Sequence, residues 1–107
     1  MIKIKTIEEI DKLTESGNCI VAKFGAQWCT PCRVLENTIK SLTLEEADGV
    51  QFVEIDVDEA DESLVTAYSI KSIPVLVYFK DGFIVNRTVG LLTKDALIEE
   101  INKVKNF

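Results

Sequence analysis

The chain has no histidine and only three cysteines, and this scarcity restricts its metal chemistry. A structural zinc site takes four ligands, usually from Cys and His. Cys29 and Cys32 have the spacing of half such a site, but Cys19 is the only further thiol. Zinc is therefore the weaker interpretation of the cysteine pair, and we expect neither a metal nor a cofactor.

Basic side chains and long apolar runs are also scarce. Twelve Lys and Arg stand against eighteen Asp and Glu, so the net charge is −6, whereas nucleic-acid binding usually needs a basic face. No apolar stretch is long enough to cross a bilayer, and residues 1–5 lead into an acidic helix instead of a secretory hydrophobic region. We expect no nucleic-acid or membrane partner and a cytoplasmic location, where reductants keep thiols reduced.

The composition is that of one self-sufficient domain. Of the 107 residues, 47% are hydrophobic, which is enough for a core without structural staples. We predict a single domain over residues 1–107 and a monomer. Cys19, at the start of an apolar strand, is interpreted as a small core residue, with a regulatory thiol as the alternative.

The most informative segment is residues 28–32, Trp-Cys-Thr-Pro-Cys, which lies between a strand and a helix. Residues 19–24 form a nearly continuous apolar run, typical of a strand covered on both faces. From residue 33 to about residue 48, apolar side chains recur at near-helical spacing, and Gly49 follows as a stop. The motif is therefore predicted to cap a helix that leaves a central strand.

This position predicts reversible thiol chemistry. Pro31 suits the first turn of a helix, so Cys29 falls close to the N-cap, facing unpaired amides and the positive end of the helix dipole. A free cysteine has a pKa of about 8.5, and such a site lowers it by about one unit or more. Cys29 is therefore the candidate nucleophile. Cys32, one turn deeper on the same face, lies within disulfide range and is the candidate resolving thiol.

The remaining pattern alternates strands with helices and ends in a hairpin and a helix, which predicts an α/β fold with a sheet of mixed direction. Thr6 and Glu9 resemble a capping box, and Asp81-Gly82 is a hairpin signal. The predicted strands cover residues 2–5, 50–57, 74–80 and 83–89, and the predicted helices cover residues 6–15, 59–69 and 93–105.

Several segments coincide, in order, with those of one family. They are residues 24–32 (Phe-Gly-Ala-Gln-Trp-Cys-Thr-Pro-Cys), 56–58 (Asp-Val-Asp), 70–74 (Ile-Lys-Ser-Ile-Pro), 79–82 (Phe-Lys-Asp-Gly) and 89–90 (Val-Gly). Over nearly its whole length the chain resembles the thioredoxin family. The resemblance implies a central mixed β-sheet of about five strands flanked by about four helices. It also implies a protein-disulfide reductase that acts on disulfide-containing client proteins and is recharged by a thioredoxin reductase or another dithiol donor.

The resemblance predicts a specific geometry and position for Pro74. By itself it is a proline at a strand edge, but the family implies a cis peptide bond between Ile73 and Pro74, lying against the cysteines. The resemblance also implies a shallow groove in which an extended client segment pairs with exposed backbone. The residues implied to bind the client are Trp28, Thr30, Pro31, Val57, Ser72, Ile73, Pro74, Val89 and Gly90. A core position for Trp28 is the alternative.

Two departures from the family pattern bear on mechanism. Thr30 stands where the commonest motif has Gly, and residues between the cysteines tune the stability of dithiol against disulfide. Lys23 and Glu54 stand where the family usually has a buried Asp and a nearby Lys, so the pair is reversed in charge. If the two side chains pair, the resemblance implies that Glu54 takes over the task proposed for that Asp, which is to accept a proton from Cys32 through water. The alternative is that Lys23 extends outward to solvent.

Three functions follow from these observations. The leading one is a general protein-disulfide reductase. A protein-disulfide oxidase or isomerase is the second, favoured if Thr30 or Lys23 stabilises the Cys29 thiolate and makes the disulfide more oxidising. The third is a non-catalytic binding module, which the two intact cysteines disfavour. A glutaredoxin is also disfavoured, because no glutathione-binding set of charged and Gly-rich positions follows residues 89–90.

Overall fold

A computed structural model describes residues 1–16 and 18–107, which form five strands and four helices. In chain order the elements are β1 (Ile2–Lys3), α1 (Ile7–Thr14), β2 (Cys19–Gly25), α2 (Thr30–Lys40), β3 (Val50–Asp56), α3 (Glu62–Ala67), β4 (Val75–Lys80), β5 (Phe83–Val89) and α4 (Lys94–Lys105). The α/β fold with a mixed sheet of five strands and four helices is confirmed.

The five strands form one sheet in the order β1-β3-β2-β4-β5. The first three strands in that order are parallel, and β4 and β5 run antiparallel to their neighbours. The central strand β2 is buried along its whole length, as its continuous apolar run predicts. Its register places Lys23 opposite Glu54 on β3 and Leu76 on β4.

Side chains on the central strand alternate between two cores, one on each face of the sheet. Ile20, Ala22 and Phe24 pack on the face that also holds Ile10 of α1 and Leu64 of α3. Cys19 and Val21 pack on the opposite face against α2 and α4, where the buried side chains are Leu35, Ile39, Leu97, Ile101 and Val104. Lys23 belongs to this second face by the same alternation. Each fully buried Leu or Ile contributes about 1.5–3 kcal/mol, so these two cores hold the layers together.

The predicted turn signals are confirmed. Thr6 caps α1 with its hydroxyl, which accepts a hydrogen bond from the N–H of Glu9 at 3.1 Å, and the Glu9 carboxylate accepts one from the Thr6 N–H in return. Asp81 and Gly82 join β4 to β5 with φ angles of 52° and 84°. Positive φ at both central residues is the geometry of the tight hairpin turn that an Asp-Gly pair favours.

The prediction that the second helix continues to about residue 48 was wrong. It ends at Lys40, and Ser41 closes it by donating its N–H to the carbonyl of Asn37. Thr43 and Glu46 then exchange side-chain to backbone hydrogen bonds, which fold the next segment as a separate turn. Leu44, which extended the apolar spacing in the sequence, is 95% exposed.

Two other elements differ from the predicted bounds by two or more residues at one or both ends. The first strand ends at Lys3 instead of residue 5. Beyond it, Ile4 makes one more hydrogen bond to β3, from its N–H to the Glu54 carbonyl. The third helix covers Glu62–Ala67 instead of residues 59–69. A turn in which Glu59 and Ala60 both donate to the Asp56 carbonyl precedes it, and Ser69, with φ at 52°, follows it. Within residues 1–16 and 18–107, no helix has both the length and the apolar character needed to cross a membrane.

Candidate active site

The motif cysteines lie where strand β2 gives way to helix α2. Cys29 is the N-cap of α2, with extended backbone angles, and its Sγ accepts a hydrogen bond from the Cys32 N–H at 3.2 Å. Pro31 lies in the first turn, where its missing N–H leaves no helical hydrogen bond unmade. The predicted cap position is confirmed, so the Cys29 sulfur faces the amide end of the helix, where a negative charge is favoured.

Cys29 and Cys32 form a disulfide whose Cα atoms are 5.2 Å apart. Both cysteines are buried, Cys29 to 5% exposure and Cys32 to 1%. They form a small apolar cluster with Ala26, against which Val57 and Ile73 pack. The disulfide therefore packs against Ala26, Val57 and Ile73, and Cys29 is the more exposed of the two cysteines.

The loop before strand β4 brings a cis peptide bond to the site. The bond joins Ile73 to Pro74, as the family resemblance implies. Pro74 is buried, and its carbonyl accepts a hydrogen bond from the Gly90 N–H at 2.8 Å. Val89, the residue before Gly90, pairs with Val75 at the end of the β4–β5 ladder. Residues 74–75 and 89–90 therefore meet although they are distant in sequence, and Ile73, directly before them, packs against the cysteine cluster.

An apolar groove opens on one side of the disulfide, with a volume of about 170 Å³. Its lining includes Trp28, Val57, Val65, Ile70, Ser72 and Ile73. Four of the predicted client-binding residues thus share one groove. Thr30 and Pro31 are exposed beside it on the first turn of α2, while Val89 and Gly90 lie along the Pro74 segment outside its lining.

Trp28 lies on the surface and does not belong to the core. Its side chain is 70% exposed, so the core alternative is wrong. The indole Nε1 donates a hydrogen bond to Asp58 Oδ2 at 2.7 Å, and the Asp58 N–H donates to the Asp56 carboxylate. Asp58 was not predicted as a site residue, because the acidic segment around it is typical of solvated surface. Its position directly after Asp56-Val57, at the end of a strand beside the motif strand, was the available signal.

Lys23 and Glu54 form an ion pair across β2 and β3. The distance from Lys23 Nζ to Glu54 Oε1 is 3.5 Å. The Lys23 side chain is 3% exposed and that of Glu54 is 23% exposed. The alternative that Lys23 extends outward to solvent is therefore wrong, and the reversed pair exists.

The ion pair borders a charged cavity of about 360 Å³ that shares no lining residue with the apolar groove. The charged side chains in its lining are Lys3, Lys23, Arg33, Glu36, Glu54 and Asp56. Gly25 lies between the ion pair and the disulfide: a Cβ at this position would be 3.3 Å from Cys32 Sγ and 3.5 Å from Lys23 Nζ. Gly25, Arg33 and Glu36 were not predicted as site residues, because only the folded register brings them to one cavity.

A cysteine pair closed into a disulfide at a helix N-cap, beside a cis-proline and a mixed five-stranded sheet, defines a thiol–disulfide oxidoreductase of the α/β class. The family model for Thioredoxin matches residues 3–103, and the chain belongs to the thioredoxin family. The family reduces protein disulfides, and the active-site pair needed for that reaction is present.

Individual relatives agree with this assignment. The chain is 36% identical over 103 residues to a thioredoxin of Bacillus subtilis (strain 168), covering 96% of this chain and 98% of that protein. It is 40% identical over 103 residues to a thioredoxin of Chlamydia pneumoniae, with the same coverage. Among solved structures, a mutant thioredoxin from Halobacterium salinarum NRC-1 superimposes with a TM-score of 0.85 at 35% identity, covering 96% of this chain and 88% of that one. The Fasciola hepatica thioredoxin gives a TM-score of 0.85 at 34% identity, covering 96% and 98%.

Proposed function

We propose that this protein reduces disulfides of client proteins with Cys29 as the nucleophile and Cys32 as the resolving thiol. The observation that carries the proposal is the placement of Cys29 at the N-cap of α2 with Cys32 directly behind it. The helix end favours a thiolate at Cys29. Cys32 is too buried to meet a client first, but its Cα lies 5.2 Å from that of Cys29.

The reaction then has two exchanges. The Cys29 thiolate attacks one sulfur of the client disulfide, forming a mixed disulfide and releasing the other client sulfur as a thiolate. Cys32 next attacks Cys29 Sγ, so that the Cys29–Cys32 bond forms and the bond to the client breaks. Two electrons pass from the dithiol to the client, which leaves with both sulfurs reduced.

The apolar groove is the proposed client site. An extended client segment would lie against Trp28, Val57 and Ile73, where apolar contact stabilises the encounter complex. The other contacts proposed for the client are Thr30, Pro31, Ser72, Pro74, Val89 and Gly90. Backbone groups of Ser72 and Ile73, which directly precede the buried Pro74, would add main-chain hydrogen bonds that serve many client sequences alike.

The Lys23–Glu54 pair is the proposed route for the proton of Cys32. Glu54 borders the charged cavity and is partly exposed, so it can exchange protons with water. In this proposal Glu54 accepts the proton of Cys32 through water as the resolving attack begins. The proton is then available to the departing client thiolate.

The electron donor, the location and the state of assembly complete the proposal. A thioredoxin reductase or another dithiol donor would reduce the Cys29–Cys32 disulfide after each turnover. Such a cycle belongs in a reducing compartment, so we propose a cytoplasmic protein acting as a monomeric single domain over residues 1–107. A net charge of −6 supports a role without nucleic acid.

Trapping of the mixed disulfide tests the roles of the two cysteines. The Cys32→Ser variant, mixed with a client protein that contains a disulfide, should accumulate a stable mixed disulfide that non-reducing electrophoresis detects. The Cys29→Ser variant should form none. Cys19→Ala is the matched control and should turn over like the parent, because Cys19 is buried at the far end of β2. A mixed disulfide formed through Cys32 would reverse the proposed roles.

An oxidase is the second candidate, since the buried cation of Lys23 lies near the disulfide and can favour the reduced state. Equilibration of the protein with defined glutathione buffers decides between the two. A strongly reducing potential supports the reductase, whereas a clearly more oxidising one supports the oxidase or isomerase.

A further inference from the structure

Lys23 is a buried cation to which the proposed proton transfer gives no task beyond pairing with Glu54. Its side chain is 3% exposed on the sheet face covered by α2 and α4. Keeping an ammonium group from water costs several kcal/mol unless other groups compensate. We infer that Lys23 is a positioning residue that stabilises the thiolate of Cys32 for the resolving step. The inference rests on the proposed roles of the two cysteines.

The absence of a side chain at Gly25 brings Lys23 to the resolving cysteine. Lys23 Nζ and Cys32 Sγ both lie within 3.5 Å of the point that a Cβ on Gly25 would occupy. The ammonium group and the sulfur therefore border the same gap. The two atoms are therefore at most about 7 Å apart. In a site with little water, the attraction between an ammonium and a thiolate at that distance is larger than in solvent.

A nearby cation matters more for the thiolate of Cys32 than for that of Cys29. It is 1% exposed, and burial disfavours the charged form of a thiol. Cys29 at the N-cap already faces the free amides of the helix end, whereas the Cys32 N–H is itself bonded to Cys29 Sγ. A cation beside a thiol favours the thiolate, and Lys23 is the buried cation on the Cys32 side.

The charges around the cavity leave a positive field at Cys32. Besides the ion pair, the cavity is bordered by Lys3 and Arg33, both exposed, and by Glu36 and Asp56, both half-buried. These four balance in formal charge. Glu54 is 23% exposed and its charge is partly screened by water, whereas that of Lys23 is not. The cation therefore outweighs its partner at the sulfur.

The chemical consequence falls on the second exchange. The Cys32 proton leaves toward the charged cavity, the thiolate attacks Cys29 Sγ, and the client sulfur departs with the electrons of the broken bond and takes up a proton. Lys23 is not consumed in this sequence of steps. Because the cation stabilises a thiolate that exists only in the reduced protein, it also makes the disulfide easier to reduce.

The direct test is the titration of Cys32 in the reduced Cys29→Ser protein, followed by the carbon chemical shift of the Cys32 Cβ. Lys23→Met keeps the apolar stem and removes the charge. It should raise the midpoint of the Cys32 titration by about one pH unit or more. Lys103→Met makes the same chemical change on α4 at a side chain that is 61% exposed and away from this cavity, and should leave the midpoint unchanged. An unchanged midpoint in Lys23→Met overturns the inference.

The Glu54→Gln variant should move the Cys32 midpoint in the opposite direction. It can be measured even if the Lys23→Met protein does not fold. Removing the carboxylate leaves the cation without its counter-charge, so the midpoint of Cys32 should fall. If Glu54 served only to accept the proton, the resolving step would slow in this variant with no fall in the midpoint. A midpoint that stays constant or rises in Glu54→Gln contradicts the inference.

The redox equilibrium gives an independent readout. Lys23→Met should lower the equilibrium constant for reduction by glutathione about tenfold, which for this two-electron couple equals about 30 mV. Trapping by Cys32→Ser does not involve Lys23, so failure there would remove the proposed cysteine roles. If Cys32→Ser forms the mixed disulfide as expected but Lys23→Met leaves the equilibrium constant unchanged, only the proposed role of Lys23 is wrong.

Discussion

The apolar groove and the charged cavity flank the same disulfide but differ in size, polarity and access. The groove, of about 170 Å³, presents Trp28, Val57 and Ile73 to solvent. The cavity, of about 360 Å³, presents charges of both signs and ends at the buried pair of Lys23 with Glu54. In the proposed mechanism the two sides have separate tasks: the groove contacts the client, and the cavity controls the charge on the cysteines. A substitution on one side should therefore change one step of the reaction and leave the other step intact.

The largest expected effect comes from filling the gap at Gly25 on the cavity side. In Gly25→Ala the new methyl would lie 3.2 Å from Cys32 Cβ, closer than packed carbons normally approach. Overpacking of this kind costs about 1–3 kcal/mol, and denaturant unfolding of the oxidised protein should register that loss. Gln27→Ala, two residues along the same strand exit and exposed, is the control. Equal stability of Gly25→Ala and the parent would mean that Cys32 shifts to accommodate the new methyl group, so the gap at Gly25 would not be tightly packed.

Next in size is the loss of Trp28 on the groove side. Trp28→Ala removes the most exposed apolar surface of the groove, so kcat/KM for a protein client should fall about tenfold, equal to about 1.4 kcal/mol. Reduction of a small aromatic disulfide that cannot fill the groove should change little. Phe83→Ala removes another exposed aromatic, on β5, and should have no effect on either substrate. Equal losses for both substrates would mean that Trp28 acts on the disulfide and not on the client.

The smallest effect is expected from Asp58, which anchors Trp28. Asp58→Asn keeps an acceptor for the indole but removes its charge, and a charge-assisted hydrogen bond is stronger than a neutral one by about 1 kcal/mol. We expect kcat/KM for the protein client to fall about threefold. In the double variant with Trp28→Ala, Asp58→Asn should cost nothing further. An additive loss would show that Asp58 contacts the client directly.

Local patterns predicted most of the fold. The continuous apolar run of β2, the Thr6 capping box and the Asp81-Gly82 turn each depend on a few adjacent residues, and each is confirmed. The end of α2 was not predictable in the same way. Leu44 matched the helical spacing, but the hydrogen bonds between Thr43 and Glu46 favour a turn, and only the folded chain shows that Leu44 is exposed.

The functional site likewise contains residues that are adjacent in sequence and residues that only the fold brings together. Cys29, Cys32 and Pro31 form one short segment, so their chemistry could be read from their spacing. The partner of Trp28 lies thirty residues away, and the partner of Lys23 lies thirty-one residues away. Those contacts depend on the register of β2 against β3, which pairs Lys23 with Glu54 and Gly25 with Asp56. The sequence therefore indicated the reaction, and the family resemblance named Lys23 and Glu54, but the fold was needed to show that they pair and that Asp58 bonds Trp28.

The hydrogen bond between Trp28 and Asp58 has a further, optical consequence. Trp28 is the only tryptophan of the chain, and it directly precedes Cys29 on a loop that this bond holds in place. A disulfide quenches the emission of an adjacent indole more strongly than two thiols do. We therefore expect the Trp28 emission to rise as the Cys29–Cys32 bond is reduced, so that the time course of each turnover can be followed without an added dye.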